Sequence, residues 1–292
     1  MKKVIIVFSL ILLFITPLFS QQDQLSFLNE TQVGNFMQPF ATSLSEGLNS
    51  GSFYTASISS FPSFSISFRG MIMFVPSSQM TFTPTLPSGY KATNSTATIW
   101  GDQGTIYTGP NGYIPYPNGL NQSNIPFAMP QITGSFMGTE VLIRYLPTVH
   151  VKNDDINYFG IGVRHSISQY IPLIPVDVAV GVLYNKLNYG SYISGSTFAV
   201  NGEVSKTFGL FTAYGGLQYE SSSFDLSYTI KGDPNNGDPT LRQDRNISAS
   251  VSGADNIRFI LGGSLKIGFL VINADYNLAS QSLFSGGLSF EF

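Results

Sequence analysis

Charged residues recur on one phase of the alternating apolar and polar stretches in this sequence. Successive side chains of a β-strand point to opposite faces, so residues two positions apart share a face. Where the apolar phase faces lipid, the charged phase faces the interior of a barrel. Seven charged residues are predicted to line that interior: Glu140, Arg144, Arg164, Asp177, Glu203, Arg258 and Asp275.

Energetics require this inward placement, because an arginine facing hydrocarbon costs about 2–4 kcal/mol near the bilayer midplane. One interpretation is structural: the charges form an ion-paired ladder that fills a narrow barrel. The other is functional: they line a pore that selects solutes, or they bind a polar headgroup above an apolar pocket. The mixture of signs argues against a strongly ion-selective pore.

The only histidines are His150 and His165, which limits the catalytic chemistry available. Outer-membrane barrels that hydrolyse lipids use a serine and a histidine near the membrane surface. His165 is predicted to point outward, and its neighbour Ser166 then faces the opposite side, so the two cannot form a dyad. We therefore predict that the chain is not an enzyme and has no catalytic residue, no cofactor and no metal site.

The last ten residues, 283–292, show which elements must position these side chains. Large apolar residues from Phe284 to Phe292 alternate with small or polar ones. A closed barrel needs this pattern, because apolar side chains meet hydrocarbon while closure satisfies every backbone polar group. The segment resembles the C-terminal signature of Gram-negative outer-membrane barrels, whose terminal aromatic residue, here Phe292, is read by the barrel-assembly machinery.

Alternating segments follow one another closely after Ser135. Together with a strand at 64–75 and those of an uncertain region, they give 10 to 14 strands, and 12 is the preferred number. The predicted fold class is all-β: a transmembrane antiparallel up-and-down β-barrel with a short N-terminal amphipathic helical segment. At this size the lumen can hold a small ligand or a plug rather than a wide water channel. The predicted segments lie at about 135–146, 156–169, 176–187, 195–206, 210–231, 245–267, 269–278 and 283–292.

The N-terminal region divides into two parts ahead of the barrel at 51–292. Residues 1–20 have two lysines and a short apolar run, which predicts a secretory signal peptide cleaved near Ser20. Residues 21–50 carry apolar residues at helical spacing. Ser26 could cap this helix, Gly47 or Gly51 could end it, and Pro39 should kink or split it. The helix is either a plug inside the lumen or a segment packed at the barrel mouth.

Proline is concentrated between Pro76 and Ile132, which holds half of the 16 prolines in the chain. Such a density predicts long extracellular loops about 76–132 instead of continuous membrane strands. One hairpin is predicted, formed by 91–100 and 105–108. Aromatic residues from Tyr107 to Phe127 either fold inward as a constriction or form a surface patch.

Composition supports an exported barrel and excludes several other classes of protein. Only 11% of the residues are charged, whereas 24 are Phe, 15 are Tyr and 29 are Gly. The absence of cysteine excludes a disulfide scaffold and a lipid-anchored lipoprotein. The net charge is −3 and no basic stripe is present, so nucleic acid is not an expected partner.

Six segments resemble an uncharacterised family of outer-membrane proteins that is distantly similar to fatty-acid transport barrels. The resemblance covers most of the chain and implies the fold and an outer-membrane location, but no activity. The asparagine-proline-alanine hatch motif of fatty-acid transporters is absent, which places a transfer of their substrate in doubt. The segments are Q-P-F-A-T-S-L-S-E-G-L-N-S-G-S-F-Y-T-A from Gln38, F-S-I-S-F-R-G and V-P-S-S from Phe64 to Ser78, G-T-E-V-L-I-R-Y-L-P from Gly138, G-I-G-V-R-H-S-I-S-Q-Y-I-P from Gly160 and Y-G-G-L-Q-Y-E from Tyr214.

Three functional hypotheses follow for a cell outer-membrane protein surrounded by lipid. The favoured one is transport of a small hydrophobic ligand past an N-terminal plug, which requires a continuous cavity with an apolar patch. The alternative is a non-transporting structural or surface-interaction barrel, which predicts a filled lumen. The third is a lipid-modifying enzyme, which predicts His150 or His165 beside a serine or tyrosine at the rim.

Overall fold

A computed structural model describes most of the chain after the predicted signal peptide. The described residues are 28–92, 94–110, 112–151, 154–171, 173–230, 232, 234, 242–254 and 257–292. The predicted signal peptide and the proposed cap Ser26 lie outside them. No helix among the described residues is long and apolar enough to cross a membrane.

One α-helix, α1 (Glu30–Asn49), precedes the barrel. Its N-cap is Asn29, whose side chain accepts from the Gln32 amide while the Gln32 side chain accepts from the Asn29 amide, a reciprocal capping box. Pro39 lies inside the helix without splitting it. The helix ends at Ser50, and Gly51 follows in the left-handed conformation that glycine adopts most readily.

The strands account for most of the remaining chain. Four short strands form two hairpins in the long connection after β1, and the other strands belong to one sheet. The strands are β1 (Ser63–Phe74), β2 (Thr81–Phe82), β3 (Thr96–Ala97), β4 (Ile106–Gly109), β5 (Gly112–Pro115), β6 (Asn124–Phe136), β7 (Thr139–Val151), β8 (Asp154–Ser166), β9 (Asp177–Tyr189), β10 (Ile193–Phe208), β11 (Phe211–Ile230), β12 (Arg245–Val251), β13 (Ile257–Ile267), β14 (Leu270–Leu278) and β15 (Ser282–Glu291).

Ten strands of the described chain close into an antiparallel barrel, and β12 is an additional strand. Each strand of the ring pairs with the next ring strand along the chain, and β15 pairs with β1 to complete the ring. The first half of β11 pairs with β13 and the second half with β12. Strands β12 and β13 therefore lie one after the other along the same edge of β11. The predicted up-and-down barrel is confirmed, with a strand number at the lower end of the predicted range.

The wall alternates as a lipid-facing barrel requires. On β15 the outward Phe284, Leu288 and Phe290 are 43–47% exposed, whereas the inward Ser285 and Ser289 are fully buried. The same alternation runs along β8, β9 and β10. Apolar side chains therefore form the outer surface, and hydrogen-bonded strand pairs satisfy the backbone, which is the arrangement of an outer-membrane-type β-barrel.

The two ends of the barrel differ, and we name them by their connections. At the turn end, two-residue turns join β6 to β7, β10 to β11 and β13 to β14. At the loop end, residues 75–123 join β1 to β6. Met137 and Gly138 both have positive φ in the first of these turns, 54° and 71°. The predicted strand at 135–146 was wrong here, because this turn divides it between β6 and β7.

The proline-rich region also differs from the prediction. Strand β6 starts at Asn124 and pairs with β1 along its whole length, although it contains Pro126 and Pro130. The loop prediction therefore extended nine residues too far, over 124–132. The predicted hairpin was also wrong: β2 pairs with β3, and β4 pairs with β5.

Candidate functional site: the plugged lumen

Helix α1 lies inside the barrel, and its apolar face fills the half of the lumen nearest the loop end. Phe36, Phe40, Leu44 and Leu48 belong to a buried cluster with inward side chains of the wall. The wall residues come from the loop-end halves of the ring strands and from the additional strand β12: Met71, Met73, Ile125, Phe127, Met129, Leu146, Ile156, Tyr158, Tyr189, Ile193, Phe224, Leu226, Ala249, Val251 and Leu283. We call this cluster the apolar compartment.

The long connection 75–123 folds inward over the apolar compartment. The Trp100 indole donates to Ser43 Oγ at 3.1 Å and its ring lies 5.9 Å from that of Phe40, measured between centroids. Gln32 on the helix donates to the Tyr116 hydroxyl at 2.6 Å. Burial raises the pKa of Tyr116 to about 12, so this hydroxyl stays protonated at neutral pH. The loop end is thus covered by the chain itself.

Two buried arginines of the wall hold the C-terminal end of α1. Arg144 donates to the carbonyl oxygens of Leu48 and Ser50, each at 2.7 Å. Arg258 donates to the Glu46 carbonyl at 3.2 Å and to the Ser50 hydroxyl. The last carbonyls of a helix lack intrahelical partners and carry partial negative charge, so guanidinium donors suit this position. Side chains of the barrel therefore fix the helix from two sides.

The Arg258 charge is balanced by Glu220, and both side chains are fully buried. Arg258 Nη2 lies 2.8 Å and 3.1 Å from the two Glu220 carboxylate oxygens. Asn49, the last helical residue, donates to Glu220 at 3.1 Å and accepts from Asn185 at 3.0 Å. The end of the helix is thus part of a polar network that spans the lumen.

The half of the lumen nearest the turn end is polar. Arg164 bonds to Glu140 at 2.8 Å and 3.0 Å and to Glu203 at 2.5 Å, and it donates to the Thr55 carbonyl at 2.9 Å. Thr55 belongs to the segment 50–62, which runs from the helix end toward the start of β1. The arginine therefore anchors the segment that connects plug and wall.

A cavity of about 490 Å³ opens at the turn end, and we call it the vestibule. Serine and threonine hydroxyls, Tyr54, and the charged pairs Arg164–Glu140 and Lys266–Glu291 line it. A second cavity of about 540 Å³ lies under residues 166–177. The polar half is open to solvent at these cavities, whereas the apolar compartment is filled by side chains.

The structure places the seven predicted residues as follows. Glu140, Arg164 and Glu203 form one cluster, while Arg144 and Arg258 meet at the helix end. Asp275 accepts from Tyr214 at 2.8 Å and from Asn277 at 2.6 Å. Asp177 is half-buried at the turn end, where it lines the second cavity, apart from the others.

Sequence reasoning missed Arg69 and Glu220, both of which are fully buried inside the barrel. The alternation of both strands already places these two residues on the inward face. Arg69 shares its phase with Ser65 and Ser67, and Glu220 shares its phase with Gln218. What the phase could not reveal was the partner of each side chain, since that depends on strand register and on the helix.

The histidines lie at opposite ends of the wall. His165 points outward, as predicted, and bonds to Thr139 Oγ1 at 2.8 Å and to the Tyr170 hydroxyl at 2.9 Å. His150 is exposed beside Asp155. The His165–Tyr170 contact has the form that the enzyme hypothesis requires, but Ser166 faces the interior, on the other side of the wall from His165.

The wall has a seam between β6 and β7. Their pairing covers only five residue pairs, from Ile132 with Ile143 to Phe136 with Thr139. Both strands continue toward the loop end for eight more residues without pairing to each other. Pro126, Pro130 and Pro147 lie in these unpaired stretches and lack the amide proton that a ladder needs. The seam thus begins where Arg144 and Gln131 contact each other inside the barrel at 2.9 Å.

The apolar compartment lies directly behind the seam. Phe127 and Met129 of β6 and Leu146 of β7 point inward there and belong to the cluster. The Tyr158 hydroxyl reaches the Met129 sulfur at 4.0 Å. The interior next to this opening in the ladder is therefore apolar along the unpaired length.

Comparisons with known proteins identify a family and give weak structural neighbours. No curated protein matches the chain. The toluene transporter TbuX of Ralstonia pickettii is 9% identical, over 81% of this chain and 90% of its own, with a TM-score of 0.22. The outer-membrane channel DcaP of Acinetobacter baumannii is 8% identical, over 82% and 100%, with a TM-score of 0.20. A BenF-like porin of Pseudomonas fluorescens is 9% identical, over 80% and 97%, with a TM-score of 0.17. The model of a family of unknown function, DUF6588, matches residues 1–292, and the chain belongs to this family.

Proposed function

We propose that this protein is an outer-membrane barrel that passes a small hydrophobic molecule, with α1 as its plug. The observation that carries the proposal is the seam between β6 and β7, placed against the apolar compartment. A hydrophobic molecule is more stable in hydrocarbon or among apolar side chains than in water. The seam offers it a route between the apolar compartment and the membrane that avoids the polar half of the lumen.

In the proposed orientation the turn end faces the periplasm and the loop end faces the outside. Outer-membrane barrels have short periplasmic turns and longer extracellular loops, which fits the connections of this chain. The proposal includes export through a signal peptide cleaved near Ser20 and assembly through the strand that ends at Phe292.

The plug must move for a molecule to pass, since α1 occupies the apolar compartment. Its C-terminal end is held by hydrogen bonds from Arg144, Arg258 and Asn185. The segment 50–62 links it to β1 and is held at Thr55 and Ala56. Displacement of the helix toward either end would break these bonds. The structure is therefore the closed state, and opening requires that this set of hydrogen bonds be broken.

A disulfide lock tests whether helix movement is needed. Ser45 on the helix lies against Gly253 in the connection between β12 and β13, where a Cβ atom placed on the glycine would be 3.1 Å from Ser45 Cβ. This separation is near the range of a disulfide, and the chain has no other cysteine. The double variant S45C/G253C is expected to form the bond under oxidising conditions.

The measurement is uptake of pyrene by cells whose outer membrane carries the variant. We expect uptake to stop when the disulfide is oxidised and to return on reduction, while each single variant behaves like the native chain. Single-channel conductance of the refolded chain, with and without residues 21–50, supplies the second readout. Uptake that is equal in the locked and reduced forms would refute the plug.

The filled lumen favours one other function, that of a structural or surface-interaction barrel. The described side chains and α1 leave no open path through the loop-end half. On this alternative the chain lacking residues 21–50 stays electrically silent and the disulfide lock has no effect on uptake. The exposed loop residues, among them Ile106 and Tyr113, would then be the place to seek a partner.

A further inference from the structure

Two opposite charges line the second cavity without pairing to each other. Asp177 and Lys206 both border this space of about 540 Å³ at the turn end. The Lys206 ammonium donates to the Pro175 carbonyl, and it forms no ion pair with a described carboxylate. The Asp177 carboxylate makes neither an ion pair nor a hydrogen bond with the described part of the chain. The lumen arginines Arg164 and Arg258 are, by contrast, neutralised by neighbouring glutamates. The second cavity therefore presents one anion and one cation to a ligand.

Strand geometry places these two residues within reach of one small group. Asp177 lies directly across from Ser205 in the pairing of β9 with β10, and Lys206 is the next residue. The Cα atoms of Asp177 and Lys206 are therefore about 6 Å apart, the diagonal of a strand pair. Asp177 is the first residue of β9, and the Lys206 side chain passes the end of that strand to reach Pro175. Both side chains thus meet the same cavity although they start on opposite faces of the wall.

The second cavity has lining residues from both faces of the wall. Lys206 shares its outward phase with Val204 and Phe208, which are 44% and 62% exposed on the lipid-facing surface. Asp177 shares its inward phase with the fully buried Ala179. The polar part of the lining comes from Ser57, Ser166, Ser168, Gln169 and Thr207. A polar group at the membrane interface can therefore enter from the lipid side, past Lys206.

The chain that covers the second cavity exposes apolar side chains. Ile171 is 45% exposed and Leu173 is fully exposed, and both border the cavity. Leu173 has a φ of 64°, a left-handed conformation that a bulky side chain seldom adopts. Contacts within the described chain do not compensate for this conformation, because the Leu173 side chain is not buried. Hydrocarbon would bury it, which favours an occupant that comes from the membrane.

We propose that the second cavity binds the phosphoethanolamine headgroup of a membrane lipid, with the ammonium at Asp177 and the phosphate at Lys206. This headgroup carries its two charges two carbons apart, so each finds one opposite charge in the lining. Ile171 and Leu173 contact the acyl chains of the same lipid. The site rests on the barrel lying in a membrane, and it is independent of the plug and of the transport route proposed above.

Lipid retention by the refolded full chain tests the site. The chain is incubated in detergent micelles with equal amounts of phosphatidylethanolamine and phosphatidylglycerol, and native mass spectrometry measures the lipid that stays bound. We expect the native chain to retain phosphatidylethanolamine in preference, because phosphatidylglycerol has no ammonium for Asp177. Asp177→Asn should lower retention of phosphatidylethanolamine about threefold to fivefold and leave phosphatidylglycerol unchanged. Lys206→Gln should lower retention of both lipids, since both carry a phosphate.

Lys186→Gln and Asp225→Asn are the matched controls. Both side chains are exposed on the outward phase, in the loop-end halves of β9 and β11, away from the second cavity. Each control should retain the same lipids as the native chain. Equal retention of the two lipids by the native chain, unchanged retention in Asp177→Asn or Lys206→Gln, or an equal loss in the controls would overturn the site.

Glycerophosphoethanolamine, which has the headgroup without acyl chains, distinguishes a lipid site from a site for soluble zwitterions. Isothermal titration calorimetry should give it an affinity at least about tenfold below that of dihexanoyl phosphatidylethanolamine, because the acyl chains add buried apolar area. Leu173→Ser should weaken binding of the lipid and leave binding of glycerophosphoethanolamine unchanged. Equal affinities of the two probes, or an unchanged lipid affinity in Leu173→Ser, would overturn the lipid as the occupant.

Discussion

Arginine serves three different purposes inside this barrel, although each guanidinium has the same charge. Arg144 caps a helix, Arg258 joins that cap to a buried carboxylate, and Arg164 holds two glutamates together with a backbone carbonyl. Removing such charges from water costs several kcal/mol per ion, which only close partners can offset. The interior charges therefore fix the positions of helix and linker.

Glu220→Gln is predicted to destabilise the barrel strongly. The change leaves the Arg258 charge buried without its counterion, and breaking a buried pair in this way costs about 3–5 kcal/mol. Urea unfolding of the refolded chain, followed by tryptophan fluorescence of Trp100, gives the free energy. Asp155→Asn removes the exposed pair with His150 and should change stability by less than about 1 kcal/mol. Equal effects of the two variants would contradict this account of the interior.

The phase of each strand predicted which charged residues face inward, but not what they contact. Glu140 and Arg164 are directly opposite each other on β7 and β8, a relation that follows once register is known. The contacts of Arg144 and Arg258 with the helix required a placement that no local pattern specifies. Arg69 was visible by phase and was still missed, because its strand was read mainly from its aromatic residues.

At the level of elements, the seam makes β6 and β7 unlike the other neighbours in the wall. Strands β8 and β9 share eleven consecutive residue pairs, whereas β6 and β7 share five. Each of these stretches has a ladder on one side only, β6 with β1 and β7 with β8, so its amide groups should open at a lower free energy than those between two ladders.

Hydrogen exchange of the refolded chain in micelles is expected to show this difference. Amides in 144–151 should exchange faster than those in 185–189, which lie at comparable depth in a strand that is paired on both sides. Replacing Pro130 with Thr restores one amide proton and should slow exchange nearby if the strands can close. Equal protection in both stretches would show that the seam is closed in solution.

The assignment of β6 shows where propensity fails. Pro126 and Pro130 indicate a loop, because proline cannot donate to a ladder. They are tolerated in β6 because this part of the strand forms no ladder with β7. The missing ladder is a tertiary feature, so the sequence around the prolines carries no signal for it. The helix was easier to predict, because its apolar spacing and the glycine after its end are local.

At the scale of the whole molecule, the outer surface sets how the barrel sits in lipid. Exposed large apolar residues occur on all sides, and several lie at the turn end, including Phe208, Phe269 and Phe292. Phe269 stacks with Phe292 at 6.4 Å between centroids. Aromatic residues at this level are typical of the membrane interface, where their rings meet the headgroups.

Val182→Arg is predicted to destabilise the folded barrel in vesicles by about 2–4 kcal/mol, the cost of a charge at mid-wall. Val182 lies in the middle of β9 and points outward. Phe208→Arg, at the turn end of β10, should cost about 0–1 kcal/mol for the charge, because it lies near the interface. Unfolding of both variants in the same vesicles provides the comparison, and equal costs would place the membrane elsewhere on the wall.

The fold class could be predicted because alternation and composition are repeated along the whole chain, whereas the family was predicted from the resemblance of particular segments. The preferred strand number was two higher than the ten that close the ring, since the uncertain region contributed one barrel strand, β6, and the preferred number required three. Neither the register of the strands nor the position of the helix inside the lumen is encoded in any short segment.

The position of α1 constrains the order in which the protein can fold. The first strand pairs with the last, more than two hundred residues away, and the helix that precedes it is enclosed by the finished wall. Its N-terminal half touches the long loop, whereas its C-terminal end touches the middle of the wall. A ring that closed first would have to admit the helix afterwards, before the Arg144 and Arg258 contacts at mid-wall could form. We therefore expect the strands to wrap around the helix, with the pairing of β1 with β15 as the last major step.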